Sequence, residues 1–218
     1  MYAFNFHGIG NPGPEVPAGE KPYWVSREAF TAYAELFGRH RDRVVLTFDD
    51  GNRSDLEIAA PLLLQQGLTA RIFVLTGRFG SAGYLQPEDL CTLRDMGFVI
   101  GSHGIDHIDW AAADPQLLAQ EVAGSKRQIE AALGASISEA AVPFGSYAKR
   151  VLKALRRAEY RAVWTSDGVL TRNEGFLRPR LSIRSDTPFA YVTQILTEGV
   201  PFRRRLRQHA SIARKRLI

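Results

Sequence analysis

The chain has 218 residues, 45% hydrophobic and 23% charged, an ordinary globular composition that predicts one folded domain and excludes wholesale disorder. Its single cysteine, Cys91, excludes an internal disulfide and an all-cysteine zinc site, and it fits a reducing compartment. The net charge is +5, but residues 203–218 hold seven Lys and Arg and no acid, so the rest of the chain is slightly acidic and does not resemble a nucleic-acid binder.

Short runs of β-branched and aromatic residues alternate along the chain with segments of helical periodicity. After a Pro- and Gly-rich loop over residues 8–24, strands are predicted at 43–48, 70–75, 98–101, 161–165 and 181–183. Helices are predicted from the N-cap Ser26 to Gly38, and at 54–66, 86–96, 114–133, 147–158 and 188–198. The alternation predicts an α/β fold of parallel βα units, either an open sheet or a barrel.

Two adjacent carboxylates, Asp49 and Asp50, follow the clearest strand and precede Gly51. Past the end of a strand, a turn can aim both side chains into one pocket, where one acid holds a metal and the other remains free as a base. The tripeptide alone fits a solvated Asp-Asp-Gly turn equally well.

Two histidines, His103 and His107, follow the predicted strand over 98–101. Spaced at i and i+4, they share one face if the segment begins a helical turn, and this spacing suits one divalent cation. Alone, the pair also fits two exposed loop histidines. Together with Asp50 they give three protein ligands, the pattern of a catalytic site with an open position, and Asp49 remains as a base beside a metal-bound water.

A third segment, Val142-Pro143-Phe144-Gly145, follows the long helix. In this order and spacing, TFDDG at 47–51, SHGIDH at 102–107 and VPFG at 142–145 resemble the polysaccharide deacetylases, the NodB-homology or fourth carbohydrate esterase family. The resemblance covers roughly residues 4–184. It implies a distorted (β/α) barrel and a metal-dependent hydrolase that removes N-acetyl, sometimes O-acetyl, groups from sugars.

The resemblance also implies roles for single residues. Asp49 matches the family's catalytic base, and Asp50, His103 and His107 match its metal ligands. Pro143, Phe144 and Gly145 match the motif that lines the substrate groove, where the backbone N–H of Phe144 would help hold an oxyanion. Trp164 lies near a fourth motif that supplies an apolar wall beside the acetyl methyl, although it also fits plain core.

The chain departs from the common family pattern at two places. Ala141 stands where many members have an arginine that orients the catalytic acid, and no late Leu-x-His motif follows Ile183. A subgroup that lacks both features opens with an aromatic-His-x-aliphatic strand, as Phe6-His7-Gly8-Ile9 does here. His7 is therefore our candidate general acid, and Arg180 is the candidate replacement for the missing arginine.

Four further aromatic or acidic side chains stand out in the sequence. Trp110 could stack on a sugar ring, although packing is the simpler interpretation. Asp106 could orient a metal-bound imidazole or face solvent. Tyr23 and Trp24 are expected to anchor packing.

We therefore expect a deacetylase acting on a carbohydrate, an N-acetylated sugar of a surface polysaccharide or its precursor. The expected cofactor is a divalent metal, zinc first, with cobalt, nickel or manganese as alternatives. Two other functions fit the altered third motif: hydrolysis of another linear or cyclic amide on the same barrel, and carbohydrate binding without catalysis.

The chain divides into a catalytic domain over residues 1–200 and a basic tail over 201–218. The tail's cations favour an anionic surface such as the inner leaflet of a membrane, and they fit a solvated, partly disordered end as well. The sequence has no run of about 18 apolar residues, so no membrane-spanning helix is predicted. The first ten residues, MYAFNFHGIG, show no signal-peptide pattern. We expect a cytoplasmic protein with peripheral membrane contact at most, and the sequence leaves its oligomeric state open.

Overall fold

Eight parallel strands form one curved sheet in the structure, a computed structural model that describes residues 1–168 and 175–217. The strands are β1 (Tyr2–Phe6), β2 (Val44–Phe48), β3 (Arg71–Val74), β4 (Val99–Ser102), β5 (Glu139–Ala141), β6 (Ala162–Thr165), β7 (Leu177–Pro179) and β8 (Leu181–Ser182). Their order in the sheet is β7-β6-β5-β4-β3-β2-β1-β8. The five predicted strands are present, and β1, β5 and β7 complete the sheet.

Helices cover the outer face of this sheet. They are α1 (Arg27–Gly38), α2 (Ala60–Gln65), α3 (Pro87–Asp95), α4 (Pro115–Ala119), α5 (Ser125–Leu133), α6 (Lys149–Arg157), α7 (Phe189–Thr197) and α8 (Phe202–Leu217). The predicted N-cap Ser26 accepts a hydrogen bond from the amide of Ala29 at 3.1 Å. Five-residue π-helical segments, Asp55–Ala59 and Gln120–Gly124, run directly into α2 and α5.

The basic segment forms α8 in the structure. The structure describes the backbone of this helix but not the side chains of residues 203–205 and 216–217, which include Arg203, Arg204, Arg205 and Arg216. Among the residues that the structure describes, no helix is long and apolar enough to cross a membrane.

Side chains on the inner face of the curved sheet form two layers, because every second residue of a strand points to the same face. The lower layer is apolar and consists of Ala3, Val45, Phe73, Ala141 and Trp164. The register pairs Asn5 of β1 with Thr47 of β2, two positions beyond the pair of Ala3 and Val45. Asn5 and Thr47 therefore belong to a second, polar layer, which lies next to the apolar one and nearer the carboxyl ends of the strands.

One continuous segment joins the two edges of the sheet. Strand β7 pairs with β6 and strand β8 pairs with β1, and only Arg180 separates them in the chain. Its amide donates to the carbonyl of Thr165 at 2.9 Å, while its side chain is wholly buried. The sheet is thus a nearly closed barrel, which confirms the predicted distorted (β/α) barrel.

Candidate active site

The carboxyl end of β2 places two acids at the mouth of the barrel. The amide of Asp49 still donates to the carbonyl of Phe6 at 3.0 Å, as the next residue of the strand would. Asp50 and Gly51 then take φ values of 76° and 68°, so the chain turns sharply after Asp49. A left-handed conformation is uncommon for a residue with a side chain, and here it directs Asp50 towards the loop after β4.

Asp50, His103 and His107 converge on one point. The Oδ1 atom of Asp50 lies 3.7 Å from the Nε2 atom of His103 and 3.7 Å from the Nε2 atom of His107. All three ligand atoms lie within 4.8 Å of one another. This Oδ1 is buried and has no hydrogen-bond partner. One orphaned carboxylate oxygen facing two imidazole nitrogens fits a divalent cation of the zinc type.

The other nitrogen of each imidazole is held by an acceptor. Nδ1 of His103 lies 3.0 Å from the carbonyl oxygen of Ala141, and Nδ1 of His107 lies 3.0 Å from Oε1 of Glu20. A carbonyl oxygen and a carboxylate can only accept, so both Nδ1 atoms carry the proton. Both Nε2 lone pairs therefore face Asp50, as metal ligation requires.

The surroundings set the charge of the site. Burial lowers the pKa of His103 to about 4, so this ring is neutral at neutral pH. Burial also opposes the charge of His107, but its hydrogen bond to Glu20 and the nearby Asp50 raise its pKa overall. Burial opposes the charge of Glu20 as well, but hydrogen bonds from His107 and Arg78 lower its pKa to about 2. A metal entering the site therefore competes with a proton more strongly at His107 than at His103.

The loop that carries both histidines is held by a buried acid, Glu121. Its carboxylate accepts from the amides of Ile105 at 2.9 Å and Asp106 at 3.1 Å. His103 directly follows β4, and His107 has a φ of 53°. The helical turn that the spacing of the two histidines would allow is not formed, and a loop folded around Glu121 brings the rings together instead.

Asp49 lies beside the trio, and none of the three ligand atoms belongs to it. Arg180 donates to both of its oxygens, from Nη1 to Oδ1 at 2.7 Å and from Nη2 to Oδ2 at 2.8 Å. Asn5 donates to Oδ2 at 3.0 Å. Burial opposes ionisation of Asp49, but the charge of Arg180 and its hydrogen bonds lower the pKa of Asp49 well below the usual range. The carboxylate is therefore ionised, and its position is fixed.

A cavity of about 530 Å³ opens above these side chains. His7 lies on its wall, with its ring centroid 4.6 Å from that of Tyr23. Phe144 lines it as well, 65% exposed and stacked on His107 with ring centroids 4.5 Å apart. Pro143 and Gly145 are buried in the same turn and do not line the cavity. Of the predicted groove motif, Phe144 is thus the residue that lines the cavity.

For three side chains the structure decides between the interpretations left open by the sequence, and it rules out the substrate-binding role predicted for Trp164. Trp164 is fully buried in the apolar layer of the barrel, where its Nε1–H donates to Glu139 at 2.8 Å, so it cannot form a wall for a substrate. Trp110 is fully buried against Glu121, which excludes sugar stacking. Asp106 is exposed, and Glu20 makes the imidazole contact proposed for it.

Substitution of Glu20 tests whether this carboxylate orients the ring of His107. Replacing Glu20 with alanine is expected to weaken binding of Zn²⁺ by about 10- to 100-fold, because the ring loses the acceptor that fixes its tautomer. Glu20→Gln keeps an acceptor oxygen and is expected to retain most of the affinity. Competition titration with a chelating dye measures both, with Asp106→Asn as the control expected to match the unaltered protein. Equal affinity of the alanine variant would contradict this role.

Comparison with known proteins places these motifs in a family. Residues 38–163 match the sequence model of the family described as "Polysaccharide deacetylase". The "Putative polysaccharide deacetylase YxkH" of Bacillus subtilis is 31% identical over 133 residues, which are 61% of this chain and 48% of that protein. The chain therefore spans about half the length of that relative.

Solved structures share the fold. The Streptococcus pyogenes deacetylase PplD, solved in complex with acetate, superposes with a TM-score of 0.75 at 21% identity, over 89% of this chain and 96% of that one. IcaB from Ammonifex degensii superposes with a TM-score of 0.71 at 19% identity, over 91% and 96% of the two chains. Through the matched segment, which includes both the Asp-Asp-Gly turn and the two histidines, this chain belongs to the polysaccharide deacetylase family.

Proposed function

We propose that this protein is a metal-dependent hydrolase that removes the acetyl group from an N-acetylated sugar of a surface polysaccharide or its precursor. The observation that carries the proposal is the convergence of Asp50, His103 and His107, with ionised Asp49 beside them and one cavity above. Three ligands with a free acid alongside are the composition of a hydrolytic site rather than a structural one.

Asp50, His103 and His107 are the residues that would hold the metal, zinc first among the candidates. When bound, a divalent cation there would polarise the acetamide carbonyl and lower the pKa of a water molecule towards 7. The protein's own part is to orient both imidazoles, with each Nε2 atom facing the cation, through Glu20 and the Ala141 carbonyl.

Three groups of the chain would act on the substrate. Asp49 would take a proton from the attacking water, and Arg180 and Asn5 hold its carboxylate in place. The backbone N–H of Phe144 would donate to the developing oxyanion. His7 would donate a proton to the departing nitrogen, since its ring lies on the cavity wall. The products are acetate and a free amino sugar.

The exposed Phe144 ring and Tyr23 offer flat apolar surfaces on the cavity wall, which suits a carbohydrate substrate. We propose a cytoplasmic location, in keeping with the absence of any disulfide. The tail's seven cations support peripheral contact with an anionic membrane.

An acetate-release assay tests the proposal. The protein loaded separately with zinc, cobalt, nickel or manganese is incubated with N-acetylglucosamine oligomers, and acetate and free amines are measured together. We expect equal amounts of both products, and their loss in His7→Gln. Ring opening of a cyclic amide without acetate release would favour the alternative amide hydrolase. Binding of the oligomers without turnover by any metal form would favour a non-catalytic relative.

A further inference from the structure

Helix α8 lies against the turn that carries Phe144. The Nζ atom of Lys215 donates to the carbonyl oxygen of Gly145 at 3.0 Å and to Oδ1 of Asp167 at 2.6 Å. Its ammonium group also lies 5.1 Å from the ring centroid of Tyr147. A cation of the basic tail thus reaches the residue next to Phe144.

The acid that receives Lys215 is deeply buried. The side chain of Asp167 is 1% exposed, and its Oδ2 accepts from the hydroxyls of Tyr147 and Thr165, each at 2.7 Å. Thr165 ends β6, and Tyr147 follows the turn over 143–145. A buried carboxylate needs a positive partner. Lys215 supplies one, and it ties the end of β6 and the turn to α8.

The turn itself has an unfavourable backbone conformation. Phe144 and Gly145 have φ values of 57° and 61°, and left-handed conformations are uncommon for a residue with a side chain such as phenylalanine. At Gly145 a Cβ atom would lie 2.8 Å from Cβ of Ser166, so the turn packs closely on the segment after β6. Such a conformation persists only where the surroundings hold it.

A second contact seats the helix independently. Gln208 of α8 is buried, and a Cβ atom at Gly168 would lie 2.1 Å from its Nε2 atom. Gly168 has a φ of 89°. The segment after β6 therefore contacts α8 at two adjacent residues, Asp167 and Gly168, and Gly168 itself lines the cavity.

We propose that Lys215 is a positioning residue for the reaction, because it holds the Gly145 carbonyl and thereby the Phe144 peptide at the cavity. The proposal rests on the proposed function, in which the Phe144 N–H serves the oxyanion. It makes the basic segment part of the catalytic unit, whereas the sequence suggested a separate tail beyond residue 200.

Kinetics of Lys215→Met, Lys215→Arg and Arg214→Met test this role. Arg214 is an exposed neighbour on the same helix, so its variant is a matched control for loss of one positive charge. For Lys215→Met we expect kcat for acetate release to fall about tenfold or more, with KM and bound zinc unchanged, since oxyanion contacts form only in the transition state. Lys215→Arg is expected to recover most of kcat, and Arg214→Met to match the unaltered protein.

Hydrogen exchange gives a readout that needs no substrate. In Lys215→Met, amides of residues 144–147 are expected to exchange faster than in the unaltered protein, while those of β2 and β4 are unchanged. Unchanged exchange in this turn would overturn the positioning role of Lys215, whether or not the protein releases acetate. Absence of acetate release by the unaltered protein would count against the proposed function and not against the contact of Lys215 with the turn. An unchanged kcat, an equal loss in Arg214→Met, or a rise in KM alone would also overturn the positioning role.

Discussion

Replacing Asp49 with asparagine is expected to lower kcat for acetate release by about 10²- to 10⁴-fold, the range found when a general base is removed. Asparagine has nearly the same shape but cannot take a proton from water. Bound zinc should stay near the level of the unaltered protein, because Asp50, His103 and His107 supply the converging ligand atoms. Turnover close to that of the unaltered protein would contradict the assignment of Asp49 as base.

The same substitution also removes half of a buried ion pair. Arg180 is 0% exposed, and in Asp49→Asn its charge would lose a carboxylate that accepts through both oxygens. Breaking such a pair on one side costs about 3–5 kcal/mol of unfolding free energy. The double variant Asp49→Asn/Arg180→Met is expected to recover part of that loss in urea denaturation while remaining inactive. Catalytic and structural effects of Asp49 are thereby separated.

The sequence predicted the fold, and it named the three residues, Asp50, His103 and His107, whose ligand atoms converge in the structure. Their binding of a metal stays a prediction. The alternation of β-branched runs and helical periodicity predicted the βα units, and the family resemblance predicted the barrel. Asp50 and His107 were identified from motifs that keep their order and spacing. What the sequence could not show was how the two histidines meet, since a loop around Glu121 forms in place of the helical turn that their spacing would allow.

Residues distant in sequence from the motifs were harder to predict. Glu20 lies within the Pro- and Gly-rich loop over 8–24, where no periodicity marks a side chain that will reach His107. Lys215 lay in a segment whose composition alone fits a solvated end, and its partner Asp167 has no motif of its own. Arg180 was proposed as a replacement for a missing arginine, and its contact with Asp49 depends on how the barrel closes.

The prediction that Trp164 lines the substrate site is wrong. Its proximity to the family's fourth motif suggested an apolar wall for the substrate, but its side chain points into the barrel with Ala3, Val45 and Phe73. Strand alternation decides this, and a shift by one residue would have reversed the direction. The sequence does not fix that register by itself.

The second large effect concerns the metal. Replacing His103 with alanine is expected to reduce acetate release to background, because Asp50 and His107 alone leave the site with two ligands. A chelator should inactivate the unaltered protein in the same way, and added zinc should restore its activity without restoring that of His103→Ala. His40→Ala is the matched control, since His40 precedes β2 at the opposite end of the barrel. Full activity in the presence of a strong chelator would contradict the metal-dependent mechanism.

Elemental analysis of the purified protein tests the central claim most directly. The account predicts close to one equivalent of a divalent transition metal per chain after equilibration with zinc and removal of excess, and a loss of nearly all of it in His103→Ala but not in His40→Ala. Equal metal content in the two variants, or none in the unaltered protein, would show that Asp50, His103 and His107 do not form a metal site.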